Sequence, residues 1–166
     1  MKRIEDMIGD KLCDIANYLL SLKYKPDITI DKVTDLDEKA IDELIARYGI
    51  EGVIIDVDET LRSQMQSIPQ CNKDWIEKLR GRLKVIILSN GVDREVESYF
   101  TDRGIDYVGF AMKPLKRNFR KACQKMGVSP DKVLVLGDSL FDDIYGGKRN
   151  NMRTGLVKRK DTERGE

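Results

Sequence analysis

The stretch GVIIDVDETL (Gly52–Leu61) runs an apolar, strand-forming segment directly into Asp56, Asp58 and Glu59. A buried strand needs the first half and cannot tolerate the second, because unpaired charge enters a core only at high cost. The strand must therefore end at its acids, and something positive must meet them there. Further apolar segments repeat the pattern. Strands are expected at Val53–Val57, Val85–Leu88, Tyr107–Phe110, Val133–Leu136 and Thr154–Val157, with helices near Lys73–Leu79, Arg94–Thr101, Arg117–Met126 and after Leu140. Short apolar strands alternating with helices predict an α/β fold, a mainly parallel sheet covered on both faces in three layers.

Ahead of this alternation, Ile4, Ile8, Leu12, Ile15, Leu19 and Leu22 recur at helical spacing, and the polar face between them mixes acids with bases. An amphipathic helix packed on the protein body is expected. KYKPDITIDKV reads as an extended connector broken at Pro26, and a helix from Asp37 to Tyr48 stops at Gly49. Trp75 is expected in the core, and Gly146 and Gly147 in a tight turn. The polar tail from Lys158 to Glu166 is expected to be disordered. The organisation is then an N-terminal helical extension and lead-in (1–49), a catalytic core (50–157) and a charged tail (158–166).

Composition narrows the chemistry. The chain of 166 residues has 30 Lys+Arg against 29 Asp+Glu, so no general attraction to nucleic acid is indicated. No secretory leader or membrane-length apolar run is evident, which reads as a cytoplasmic protein. There is no histidine, which removes Ser-His and Cys-His hydrolases and most zinc hydrolases. A cysteine phosphatase would need Arg six positions after its Cys, and Leu19, Glu77 and Ser129 stand there instead. Cys13, Cys71 and Cys123 form no CxxC pair and read as small semi-buried hydrophobes. Carboxylates and lysine must carry any catalysis.

In an open parallel sheet, ligands bind beyond the carboxyl ends of the strands. Those ends carry Asp56, Asp58 and Thr60; then Ser89 and Asn90; then Lys113; then Asp138, Asp142 and Asp143. Acids from two strand ends suit Mg²⁺, with phosphate oxygens and water as further ligands. Asp56 is then the nucleophile and a metal ligand, and Asp58 the general acid/base, its backbone carbonyl facing the metal. Thr60, Ser89, Asn90 and Lys113 bind the phosphate, and Asp138 completes the metal set with Asp143, at the G-D-x4-D spacing, or the adjacent Asp142.

DVDET, ILSNG, MKP and GDSLFDD, in this order and each after a strand, resemble the four motifs of the haloacid dehalogenase (HAD) superfamily. NKDWIEKL, KPLKRNFRKA and GDSLFDDIYGGKRNNM are similar to the YqeG-like branch of its subclass IIIA phosphatases. The resemblance implies a HAD-like Rossmannoid fold, an aspartyl-phosphate mechanism with Mg²⁺, and kinship with phosphatidylglycerophosphate phosphatase. This chain departs from the branch at Glu59 (usually Asn), at Arg62-Ser63-Gln64 (usually Val-Pro-Trp) and at Lys148 (usually Asn).

Neither the segment after Leu61 nor that between Phe110 and Lys113 can hold a cap domain. An uncapped site suits a large or lipid-borne phosphorylated substrate and a peripheral contact with a membrane. Lys148, Arg149, Arg153, Lys158, Arg159 and Lys160 read as a solvated basic face or, beside an open site, as an anion contact. The rival from another class is a binding module of the same fold that docks on a protein or ribonucleoprotein partner. The oligomeric state is left open.

Overall fold

The computed structural model describes residues 4–158. Six parallel strands form one sheet in the order β1-β6-β5-β2-β3-β4. They are β1 (Ile28–Ile30), β2 (Gly52–Ile55), β3 (Lys84–Leu88), β4 (Asp106–Val108), β5 (Val133–Gly137) and β6 (Arg153–Val157). Helices α2 (Glu38–Tyr48), α3 (Gln70–Arg80), α4 (Arg94–Thr101) and α5 (Lys116–Met126) cover it, and α1 (Ile4–Lys23) precedes them. A π-helical turn (Leu140–Tyr145) and the single turn α6 (Gly146–Lys148) follow β5.

Every side chain of β2 is buried, and the pleat sends successive residues to opposite faces. Val53 and Ile55 join Ile41, Leu44, Trp75, Ile76, Leu79 and Phe100 in one core. Ile54 joins Phe119, Ala122, Cys123 and Met126 in the other. The three layers follow from that division. The chain passes from β2 outward to β3 and β4, then returns to lay β5 on the other flank of β2. The order thus reverses between β2 and β5, the place where an open parallel sheet leaves a crevice.

Helix ends follow the local chemistry. Asp37 caps α2 by accepting from the Ala40 N–H at 2.8 Å, and Gly49 takes the left-handed conformation that stops it. Asp93 caps α4 through the N–H groups of Glu95 and Val96.

Several expectations need correction. The connector contains β1, whose three residues pair with Gly155–Val157 of β6 and whose neighbourhood from Val33 onward enters the core. The strand expected at Tyr107–Phe110 ends at Val108, and Phe110 has φ 47°. The apolar stripe of α1 does not pack on the body: Ile8, Leu12, Ile15, Leu19 and Leu22 are all more than half exposed. Both sheet faces are already covered by other helices, and α1 meets the body at the π-helical turn, where the Tyr24 and Tyr145 rings lie 4.9 Å apart. Cys123 is buried, which pushes its thiol up to about 11, whereas Cys13 and Cys71 are exposed.

The basic cluster is also placed differently. Arg153 begins β6, at the sheet edge opposite the strand ends that carry the acids, and it bonds Asp27 at 3.3 Å. Lys148 pairs with the same Asp27, whose carboxyl is held below the usual carboxylate range by these cations and the Thr154 N–H, against the opposing effect of burial. Lys158 closes the described chain, donating its N–H to Ile30 O at 2.9 Å. The rest of the expected tail lies outside the described residues.

Gly146 and Gly147 are helical rather than in a tight turn, and they are glycines because of close approach. A Cβ on Gly147 would sit 2.7 Å from Thr154 Cγ2 and 3.0 Å from Val135 Cγ2. Gly147→Ala should therefore cost about 1–3 kcal/mol as an overpacked site. Gly9→Ala, with nothing within 4 Å of the added methyl, should cost nothing. Urea unfolding midpoints check this, and equal midpoints for the two variants would refute the packing argument.

Candidate active site

Asp56 directly follows β2, and its N–H still donates to Leu136 O of β5 at 3.0 Å, so the ladder itself fixes its position at the reversal. Asp138 and Asp143 follow β5. Oxygen atoms of Asp56, Asp138 and Asp143 all lie within 4.8 Å of one another. Of the two adjacent acids after β5, Asp143 is the one that joins the group, and its side chain lies where a Cβ on Gly137 would be. The Ser139 N–H donates to Asp143 Oδ2 at 3.2 Å.

Lys113 supplies the positive charge that the sequence demanded. Its Nζ donates to Asp56 Oδ1 at 2.7 Å and to Asp143 Oδ1 at 2.6 Å. Thr60 Oγ1 donates to the other Asp56 oxygen at 3.0 Å. Burial opposes the ammonium charge, but Asp143 and Asp56 outweigh it and hold Lys113 protonated well above its ordinary range. Complete burial pushes Asp143 up to about 7, with Asp56 and Asp138 adding to the rise and Lys113 opposing it. Three carboxylates with one ammonium leave a local excess of negative charge and hard oxygen donors, a set that fits a divalent cation such as Mg²⁺.

The segment carrying Lys113 is wound tightly. Ala111 N–H donates to Ser89 O at 2.9 Å and Lys113 N–H to Asn90 Oδ1 at 2.7 Å. Phe110 and Met112 both take positive φ, 47° and 49°, a strained choice for non-glycine residues. The winding turns Lys113 inward and leaves Phe110 and Met112 exposed. The Asn90 oxygen is thus occupied in holding this loop. Ser89 is buried, and its Oγ accepts from the Gly91 N–H at 3.2 Å.

The Asp58 carboxylate stands outside the acid group. Its Oδ1 accepts from Arg62 Nε at 2.9 Å, and Arg62 Nη1 donates to Asp93 Oδ2 at 2.8 Å. Asp93 is held below the usual carboxylate range, first by the Arg62 hydrogen bond and then by the α4 N–H groups. Sequence reading missed Arg62. The signal was an opposite charge four residues from Asp58.

The loops and turns that follow β2, β3, β4 and β5 also carry Met65, Val92, Phe110, Met112, Leu115 and Phe141, all exposed. Between Leu61 and α3, and between β4 and α5, only short loops intervene, so neither carries a cap.

Comparison with known proteins bears on the family and the fold. The model of the haloacid dehalogenase-like hydrolases matches residues 66–151. A Bacillus subtilis protein described as "Probable phosphatase YqeG" is 31% identical over 118 residues, 69% of this chain and 68% of that protein. The glyceraldehyde 3-phosphate phosphatase of Pyrococcus abyssi is 28% identical over 114 residues, covering 63% of this chain and 48% of its own length. A HAD-family enzyme from Bacteroides thetaiotaomicron, solved as a magnesium complex, shares the fold with TM-score 0.55 at 14% identity, over 69% of this chain and 97% of that one.

The raised Asp143 makes cation binding a proton-linked event. Burial lets Asp143 keep a proton to higher pH than an ordinary carboxyl, and a cation needs the carboxylate. Mg²⁺ binding should release protons at pH 6 and essentially none at pH 8.5. Calorimetry in two buffers of different ionisation enthalpy reads the difference. Equal release at both pH values would contradict it.

Proposed function

The chain belongs to the haloacid dehalogenase-like hydrolases and is a phosphatase of that family, and on this premise we propose that it cleaves a phosphomonoester through an aspartyl-phosphate on Asp56. The observation that carries the reading is the Lys113 bridge between Asp56 and Asp143 at the β2/β5 reversal, with Asp138 beside it. Residues 50–157 form the catalytic unit in this reading.

Asp56 Oδ attacks phosphorus while the bond to the leaving oxygen breaks, and that oxygen takes its proton from Asp58. Water then attacks the phosphorus, giving its proton to Asp58 and releasing phosphate and the Asp56 carboxylate. Lys113 and Ser89 donate to phosphoryl oxygens where charge develops, whereas Thr60, expected to bind the phosphate, has its hydroxyl proton on Asp56 and holds that carboxylate. Asn90 contributes by holding the Lys113 loop. Asp56, Asp138 and Asp143, with the Asp58 backbone carbonyl, would hold Mg²⁺, whose charge offsets that of the carboxylates and the phosphate.

The preferred substrate is a phosphate on a lipid or other large carrier. An uncapped site offers a small phosphate few contacts beyond the phosphate itself, so little remote binding energy is available to it. The exposed apolar residues on the loops after the strands support this reading, since apolar side chains beside an open site suit an apolar carrier or a membrane surface. The basic residues Lys148 and Arg153 lend no support, being paired with Asp27 at the opposite sheet edge. More than half of the Pyrococcus glyceraldehyde 3-phosphate phosphatase lies outside its match to this chain.

A panel of lipid, sugar, nucleotide and aryl phosphates tests both levels. Turnover should require Mg²⁺ or a close analogue. A lipid phosphate should exceed the small ones at least tenfold in kcat/KM, about 1.4 kcal/mol of transition-state binding. Phe110→Ser with Met112→Ser should remove that preference while sparing aryl phosphate turnover. Full turnover in excess chelator would refute the metal-assisted reading. A sharply preferred small metabolite would refute the carrier reading alone.

A further inference from the structure

Arg62 is a buried cation in a loop beside the site, with its side chain 6% exposed. A guanidinium is removed from water only where its donors are met. Here Nε meets Asp58 Oδ1 at 2.9 Å, while Nη1 meets Asp93 Oδ2 at 2.8 Å and Gln66 O at 3.2 Å. The guanidinium is a rigid planar fork, so fixing Nη1 on Asp93 and Gln66 also fixes the direction from which Nε addresses Asp58. Asp93 is itself held by the first N–H groups of α4. A chain of hydrogen bonds therefore runs from a helix N-terminus to the Asp58 carboxylate.

The consequence lies at the other oxygen. A Cβ built on Gly91 would be 3.8 Å from Asp58 Oδ2 and 3.7 Å from Ser89 Oγ. With Oδ1 engaged by Arg62, Oδ2 borders the small space above Gly91 that the Ser89 hydroxyl also borders. We propose that Arg62 is a positioning residue for acid–base catalysis: anchored by Asp93, it holds the Asp58 carboxylate so that Oδ2 exchanges the proton with the leaving oxygen and then with water. This rests on Asp58 being the acid/base of the proposed mechanism. Arg62 touches neither phosphate nor leaving group in this account; it acts through Asp58 alone.

A positioning role has a signature that a merely structural one lacks. Proton donation matters most for a poor leaving group and least for a good one. The test is kcat/KM on an alkyl phosphate and on 4-nitrophenyl phosphate, for the wild type, Arg62→Ala, Arg62→Lys, Asp93→Asn and Asp58→Asn. Arg62→Ala should lose at least tenfold more on the alkyl ester than on the nitrophenyl ester. Arg62→Lys should recover only part of that selectivity, because an ammonium lacks the fork.

Asp93→Asn keeps a competent helix cap and should shift selectivity in the same direction by a smaller factor. It serves as the readout should Arg62→Ala fail to fold. Asp58→Asn separates the two levels: if it shows no leaving-group selectivity, the assignment of Asp58 falls. If Asp58→Asn is selective but Arg62→Ala, or Asp93→Asn in its place, loses equally on both esters, the positioning role of Arg62 is overturned.

Discussion

The buried ammonium of Lys113 lies between the carboxylates of Asp56 and Asp143, and the geometry of the strand ends depends on it. Without it, two strands would meet at their carboxyl ends with buried, unpaired acids. Removing one partner of a buried ion pair typically costs about 3–5 kcal/mol. The arrangement in turn rests on the tight winding from Gly109 to Pro114, the path that brings a residue following β4 across to the β2/β5 crevice. The positive φ angles of Phe110 and Met112 are part of that path. The same winding leaves their apolar side chains in solvent, so interior electrostatics and these exposed apolar residues have one backbone cause.

The parallel sheet and its acids were legible in GVIIDVDETL because burial on both faces and charge at the strand end are each written in residue types. α4 was legible to the residue, since Asp93 caps it and nothing in the tertiary structure overrides the pattern. β1 was not, because ITI is too short to show a period and its pairing with β6 is set more than a hundred residues away. The stripe of α1 was legible as a helix but not as an exposed face. Periodicity reports that a helix has an apolar side, and only the completed layers decide whether any surface remains to receive it.

The site shows the same division. Asp56, Asp138, Asp143 and Lys113 could be nominated from their places after strands, and the structure brings them within hydrogen-bonding or ligand-sharing distance. Arg62 could not, because a loop arginine reads as solvated until its burial is seen. Arg153 and Lys148 misled for the opposite reason. They lie near GDSLFDD in sequence, yet β6 begins at the far edge of the sheet, where Asp27 receives them.

The central claim is that Asp56 forms a covalent bond to phosphorus during turnover. Acid quench of the protein with substrate and Mg²⁺, followed by borohydride reduction and peptide mass spectrometry, tests it directly, because reduction converts an aspartyl phosphate to homoserine. The account predicts homoserine at position 56 and unmodified Asp58, Asp138 and Asp143. Reduction at another carboxylate, or phosphate release with no reducible intermediate at any quench time, would contradict it.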